Sequence, residues 1–223
     1  MVRVVEPEIL DELPVETPVA RGSRSDLVRV NRLMRHAHLI RRALSHHVTR
    51  IIDLGAGDGT LLLSAVQNHP ANVKQVILVD RQRVATEATL DQFRHLDIAV
   101  EIVVADVFEW LQQPPADQST AVTANLFLHH FETPALKKLL TLAAASCDVF
   151  IACEPRRGAW PALAAALLGL IGCNRVTRHD ARISVRAGFS GSELTALWPN
   201  ANTWRIEERK AGLFSHLFVA NRV

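Results

Sequence analysis

Ile51-Ile52-Asp53-Leu54-Gly55-Ala56-Gly57-Asp58-Gly59-Thr60 runs an apolar strand into a turn with glycine at every second position, and Leu61-Leu62-Leu63 opens a helix directly after it. Glycine adopts positive φ and carries no Cβ, so such a backbone bends sharply and lies against a ligand that a side chain would displace. The helix expected over 59–68 would offer its free N–H groups to that ligand. A dinucleotide fingerprint requires its third glycine at position 60, where Thr60 stands. Asp53 at the strand end would repel a pyrophosphate and favour a ligand carrying an ammonium or sulfonium charge.

Three further apolar stretches end in polar groups. Gln75-Val76-Ile77-Leu78-Val79-Asp80 closes on a carboxylate placed to grip a ribose diol, and Glu101-Ile102-Val103-Val104-Ala105-Asp106-Val107 has an acid at its end. Ala121-Val122-Thr123-Ala124-Asn125 runs into Leu126-Phe127-Leu128-His129-His130-Phe131. All four polar groups fall at strand carboxyl ends, where open α/β sheets hold ligands.

These ordered motifs resemble the class I S-adenosylmethionine-dependent methyltransferases, closely over 51–131 and in outline to the C-terminus. Asp-Leu-Gly-Ala-Gly-Asp-Gly at 53–59 is similar to that family's first motif, Val79-Asp80 to its second, Ala105-Asp106-Val107 to its third and Asn125 to Phe131 to its fourth. The resemblance implies S-adenosyl-L-methionine as cofactor. It carries the methionine contact to Gly55 and Gly57, the ribose contact to Asp80 and the adenine contact to Asp106. Asp53, Ala56, Arg81, Val107, Asn125 and Leu126 complete the implied cofactor set.

Composition bounds the function without naming it. A chain of 223 residues, 48% hydrophobic, has enough apolar mass for one sizeable core. Its net charge of +2 and 5% aromatic content give no basic patch interleaved with aromatics, so no nucleic-acid partner is expected. Cys147, Cys153 and Cys173 lack metal-ligand spacing and read as reduced core thiols of a cytoplasmic protein. Glu6, Glu8, Asp11 and Glu12 are wrong for a secretory leader. The apolar run Trp160 to Ile171 is shorter than the roughly 20 residues of a membrane span, so no membrane partner is expected and a buried helix opened by Pro161 is.

Alternating strands near 51–54, 75–80, 101–105, 120–126 and 148–153, with helices near 59–68, 83–95, 107–112 and 133–145, predict a Rossmann-like doubly wound α/β sheet. Strands at Thr203 to Arg209 and Leu213 to Ala220 would bring it to seven, with helices on both faces, and the resemblance implies that the last is the family's antiparallel edge. Residues 1–22, with Pro7, Pro14 and Pro18 among acids, read as an extended arm. Over 23–48, with Asp26 as a first-turn acid, Leu27, Val30, Leu33, Met34, Ala37, Ile40 and Leu44 recur at helical spacing. The opposite face carries Arg24, Arg29, Arg32, Arg35, Arg41 and Arg42. It is either a solvated face or a lid whose arginines or Asn31 reach substrate. The methyltransferase domain would occupy 49–223, with 154–199 covering an acceptor pocket.

Methyl transfer from a sulfonium is an in-line displacement, so the protein mainly aligns the nucleophile and excludes water. A phenol of pKa about 10 gains from a base, which a histidine of pKa near 6.5 supplies. His129 matches the catalytic histidine of plant-type small-molecule O-methyltransferases, although His130 stands where that family has an acid. The same Leu-His-His-Phe wording is similar to quinone-biosynthesis C-methyltransferases, where it need not mark a base; the pair would then only shape the pocket or cap the next helix. His179 beside Asp180, in the polar stretch 174–182 expected as a loop, is a second candidate base, and Glu154 is placed to line the pocket. His36, His38, His46 and His47 read as surface residues, and His69, His95 and His216 as lacking chemical neighbours. No metal is expected, because Asn125, His129 and His130 do not reproduce the carboxylates of metal-dependent catechol enzymes.

The reading that results is a methyltransferase for a small acceptor, aromatic or polyketide-like, with O-methylation first. The absence of an Asn/Asp-Pro-Pro-aromatic sequence after the fourth strand argues against DNA or protein-amide acceptors. A nicotinamide-dependent oxidoreductase and a non-catalytic methyltransferase-like binding module are the alternatives.

Overall fold

A computed structural model describes residues 2–67, 72–112 and 119–223. His69 and the last residue of the helix expected over 59–68 lie outside these. The strands β1 (Arg50–Leu54), β2 (Gln75–Asp80), β3 (Ala99–Val104), β4 (Thr120–Asn125), β5 (Val149–Pro155), β6 (Trp204–Ala211) and β7 (Ser215–Arg222) form one seven-stranded sheet in the order β3-β2-β1-β4-β5-β7-β6. The first five strands pair in parallel, and β7 runs antiparallel to both β5 and β6. The helices are α1 (Ile9–Glu12), α2 (Pro18–Met34), α3 (His36–Ala43), α4 (Thr60–Val66), α5 (Glu87–His95), α6 (Val107–Trp110), α7 (Thr133–Ala145), α8 (Ala159–Leu167), α9 (Arg175–Ala187) and α10 (Glu193–Leu197).

The near-continuous apolar runs of β1, β2, β4 and β5 are explained by burial on both faces, as the centre of a parallel sheet requires, while the edge strand β3 stays partly exposed. Ile52, Leu54, Val122, Phe150 and Ala152 pack with α7 on one face. Ile51, Val76, Leu78, Ala121 and Ile151 pack with α3, α4 and α5 on the other. From β1 the chain winds outward through β2 and β3, then returns to β4 on β1's other side. The crevice at the carboxyl ends of β1 and β4 is therefore the switch point, the ligand position of this architecture.

The N-terminal part departs from expectation. The arm over 1–22 is not extended throughout: α1 lies within it, and the lead helix begins at Pro18 with the Thr17 hydroxyl accepting from Ala20 N. A hydroxyl cap followed by proline is a strong start signal. The helix also breaks at Arg35, whose φ of 57° closes α2 and opens α3. Asp26 is consequently no first-turn acid. It is buried, pairs with Arg29, and accepts from Asn174 N at 2.8 Å and Thr177 Oγ1 at 2.9 Å, which ties α2 to α9.

Between β5 and β6 two readings are corrected. The run 160–171 forms α8 and a short 3₁₀ turn, but Trp160, Leu163, Leu167, Leu170 and Ile171 are exposed and only Pro161 and Ala165 of α8 are buried. Apolarity alone predicted a core helix; its one-sided contact with α9 leaves the rest uncovered. The stretch 174–182 is the start of α9, capped by Asn174, whose side chain accepts from Thr177 N at 2.9 Å. Its polar residues are one face of an amphipathic helix.

Two histidines are also reassigned. His36 is fully buried with Nε2 2.8 Å from Ser215 Oγ, and burial pushes it down to about 4. His216 is buried with Nε2 2.8 Å from Glu208 Oε1. Arg157 is likewise buried, donating to Gly188 O.

The path of β5 into this region depends on Gly188, where an added Cβ would stand 2.3 Å from Pro155 O. Gly188→Ala should destabilise by about 1–3 kcal/mol through overpacking, lowering Tm by roughly 2–12 °C. A melting curve matching wild type would show that the contact yields freely.

Candidate functional site

The glycine turn leads from β1 into α4 with φ values of 66°, 56° and 73° at Gly55, Gly57 and Gly59. A side chain at Gly55 would strike the Phe127 ring, its Cβ coming within 2.3 Å of Cδ2, whereas a Cβ at Gly57 would meet nothing within 4 Å. The turn therefore packs on the fourth motif at one glycine and opens onto free space at the next. That open glycine is the cradle expected for a ligand laid along the backbone. The N-terminus of α4 is less available than expected, since Asp58 takes both the backbone N–H of Thr60 at 3.0 Å and its hydroxyl at 2.7 Å.

Carboxylates surround the turn. Asp53 is buried and accepts from Thr123 Oγ1 at 2.6 Å; burial pushes it up to about 7, the Thr123 bond opposes this, and the charge of Asp80 adds to it. A buried acid held this high favours a cationic neighbour. Asp80 accepts from Gly57 N and Gln82 N, both at 2.9 Å, one on each oxygen, and so braces the turn from β2. Asp106 caps α6 by accepting from Phe108 N at 2.8 Å and meets Arg81 at 2.6 Å, with Arg81 the leading cause of its lowered pKa. Val107 is buried beneath it, and Ala56 is half-buried in the turn. Asn125 donates to Asn31 Oδ1 at 3.2 Å, so the lead helix does reach the end of β4 through Asn31. Leu126 follows with φ 51°, a left-handed conformation that costs a non-glycine residue about 1–3 kcal/mol and persists where its surroundings over-determine it.

The next residues explain what holds that conformation. Glu154, on β5 and wholly buried, accepts through Oε1 from Phe127 N at 3.0 Å and Leu128 N at 2.8 Å, and its Oε2 lies 2.7 Å from His129 Nδ1. On the other side of the imidazole, Nε2 is 3.2 Å from Glu8 Oε1, brought in by the N-terminal arm. Burial alone would push His129 down, but the hydrogen bonds and charges of Glu154 and Glu8 outweigh it and hold it up to about 9. For Glu8, burial pushes upward, yet His129 and Ser184 hold it down to about 2. In this arrangement His129 is an imidazolium at neutral pH, with both nitrogens engaged.

His129 and the glycine turn thus meet at the same sheet edge, while His179 does not join them. His179 lies on α9 with its side chain 51% exposed and Nδ1 3.1 Å from Asp180 Oδ1. Asp180 faces inward and accepts from Ile9 N and Leu10 N, both at 3.0 Å. His130 Nδ1 is 3.1 Å from Asp11 Oδ2. The residue missed from the sequence is Glu8: one acid among several in a proline-containing arm, it had no periodicity or motif to mark it.

Behind Leu126 lies a cavity of about 160 Å³. Its walls are mostly apolar, including Leu27, Val30 and Met34 of α2, Leu126 and Pro155 at the sheet edge, and Val185 of α9. Glu8 is among its few polar groups, and His129 is not part of its lining.

Residues 51–148 match the family model described as a methyltransferase domain. Among curated proteins none matches the chain in sequence. Solved structures are similar in fold. An O-methyltransferase family protein from Burkholderia thailandensis superposes with a TM-score of 0.63 at 18% identity over 94% of this chain and 64% of its own. The riboflavin-derivative dimethyltransferase RosA from Streptomyces davawensis gives 0.63 at 16% over 97% and 62%. Human N-acetylserotonin methyltransferase, solved with S-adenosylmethionine, gives 0.55 at 15% over 95% and 61%. The chain spans about three fifths of the length of each. Its fold is that of the class I methyltransferases.

The charge state of His129 has a defined pH signature. A histidine raised from 6.5 to about 9 contributes stability fully below pH 6.5 and loses it as pH rises through about 9; a glutamate lowered from 4.5 to about 2 contributes fully above pH 4.5 and loses it as pH falls through about 2. Both contributions are complete between about pH 4.5 and 6.5. Imidazole nitrogen NMR should show His129 doubly protonated at pH 7 and titrating near 9. A midpoint at or below 6.5 would contradict the two-carboxylate clamp.

Proposed function

We propose that the protein is an S-adenosylmethionine-dependent methyltransferase acting on a hydroxyl of a small, aromatic or polyketide-like metabolite. The observation that carries this is the open backbone at Gly57, braced by Asp80 at the switch point, on the sheet edge where Leu126 lines an apolar cavity. The donor set fits the cofactor. Gly55, Ala56 and Gly57 present backbone to its methionine part, and Asp80 supplies a negative field for the sulfonium, joined by Asp53 when a bound cation favours its ionised form. Asp80 also has lone pairs left for ribose hydroxyls, and Arg81, Asp106 and Val107 frame the adenine side. Asn125 and Leu126 form the wall between cofactor and acceptor. When bound, the cofactor supplies a methyl group on a cationic sulfur.

The acceptor side follows from shape. A cavity of about 160 Å³ is close to the ~150 Å³ that holds a benzene ring. Its aliphatic walls from α2 and α9 suit an apolar ring and exclude water from the displacement. The three superposed methyltransferases, from the O-methyltransferase family protein to the N-acetylserotonin enzyme, support small-molecule chemistry on this fold. In this reading α2 and the 154–199 segment are the substrate cover.

Asp80→Ala should remove hydrogen bonds of about 1.5–3 kcal/mol and weaken S-adenosylhomocysteine binding roughly 10- to 100-fold by calorimetric titration. Incubation with isotopically methyl-labelled cofactor and phenolic metabolite extracts should give a labelled methyl ether by mass spectrometry. S-adenosylhomocysteine binding that is absent from wild type, or unchanged in Asp80→Ala, would overturn the assignment.

A further inference from the structure

We propose that Glu8, delivered by the N-terminal arm, is the group that meets the acceptor hydroxyl and takes its proton, with His129 and Glu154 as the charged support behind it. The proposal rests on the methyltransferase reading and specifies its acceptor site.

His129 is the obvious base by sequence, but its geometry leaves it no path to the acceptor. Its side chain is 3% exposed, Nδ1 is held by Glu154, and Nε2 faces Glu8. Glu8 stands between that imidazolium and the cavity, 12% exposed and part of the cavity wall. The other polar groups lining the cavity are spoken for: Asp180 accepts two amides of α1, Thr177 donates to Asp26, and the Ser184 hydroxyl has its one proton between Glu8 Oε1 and Asp180 O. Among the described residues, both hydrogen bonds that Glu8 receives fall on Oε1. Oε2 is thereby left for a hydroxyl.

The arm is fixed firmly enough to place this carboxylate. Arg3 donates to Ala187 O at 2.7 Å and Phe131 O at 2.8 Å, Val4 N donates to Arg186 O at 3.2 Å, and Glu6 pairs with Arg186 at 2.9 Å. A carboxylate is a weak base for a free phenol. Timing removes the difficulty: as the acceptor oxygen bonds the methyl carbon, it becomes positively charged and its proton strongly acidic, so a carboxylate in place suffices. The acceptor oxygen gains the methyl carbon as the carbon–sulfur bond breaks, the positive charge on sulfur is discharged, and the hydroxyl proton moves to Glu8 Oε2 and later to water. The charged neighbours suit this sequence. Glu8 and Glu154 share one imidazolium, so the trio carries net negative charge before transfer and is neutral once Glu8 is protonated, with Asp11 and His130 paired alongside and Arg3 over the Phe189 ring.

The test uses 4-nitrophenol, a single-ring phenol whose anion is coloured, titrated at pH 7 into the full chain with S-adenosylhomocysteine present. Wild type should bind the neutral, colourless phenol as a donor to Glu8. Glu8→Gln leaves the imidazolium without its second carboxylate and should bind the yellow phenolate. Glu207→Gln, which removes an exposed acid on β6 outside the arm and the cavity, should behave as wild type. The proposal is overturned if wild type and Glu8→Gln bind the same ionisation state, if Glu207→Gln changes as much as Glu8→Gln, or if wild type does not bind the probe. It is equally overturned if the protein binds stoichiometric zinc that Glu8→Gln releases, since ligand atoms of Glu8, His129 and His130 lie within 4.8 Å of one another. Failure of wild type to bind S-adenosylhomocysteine in the same titration sinks the methyltransferase reading; cofactor binding without a Glu8-dependent change sinks this proposal alone.

Discussion

A single buried carboxylate, Glu154, organises the ligand edge of this sheet. It receives two consecutive amides, of Phe127 and Leu128, and the Nδ1 side of His129. An unpaired charge at that depth would cost about 3–5 kcal/mol, so the three donors are held to it as strictly as it is held to them. The consequences spread outward from β5. The amide contacts bend the chain after β4 and sustain the left-handed Leu126. The bend sets Phe127 against Gly55, which is why that glycine admits no side chain and why the turn above β1 keeps its shape. The third contact orients the imidazole, and through it Glu8.

The N-terminal segment is part of the same construction. Asp26 ties α2 to the start of α9, Asp180 on α9 receives the first amides of α1, and Glu8 closes onto His129. Each link is a carboxylate: a backbone amide and a hydroxyl at the start of α9 hold Asp26, the amides of α1 hold Asp180, and the His129 imidazole holds Glu8. The cavity between α2, α9 and the sheet edge exists because these links hold helices apart from the sheet while aliphatic side chains line the gap.

The sheet was legible in the sequence because parallel strands buried on both faces write themselves as apolar runs, and their polar ends at Asp53, Asp80, Asp106 and Asn125 mark one edge. The glycine spacing at 55–59 was legible for the same local reason. What escaped were contacts between distant segments. Nothing near Glu8 announces that it reaches His129, 121 positions away. His36 and His216 carry no local sign of burial, and the stretch 174–182 looks like a polar loop until its buried residues, Thr177 and Asp180, are seen against α2 and α1. Helix 159–167 misled in the opposite sense, since apolarity without knowledge of its neighbours does not say which face is covered.

We propose that the open glycine turn and the Glu8-walled cavity are two halves of one methyl-transfer site, which a crystal structure with S-adenosylhomocysteine would test. It should show the homocysteine lying along Gly55–Gly57, the ribose on Asp80, and the sulfur turned past Leu126 toward the cavity. A ligand bound elsewhere, or one whose sulfur faces away from the cavity with Leu126 and Glu8 shut off from it, would contradict the claim.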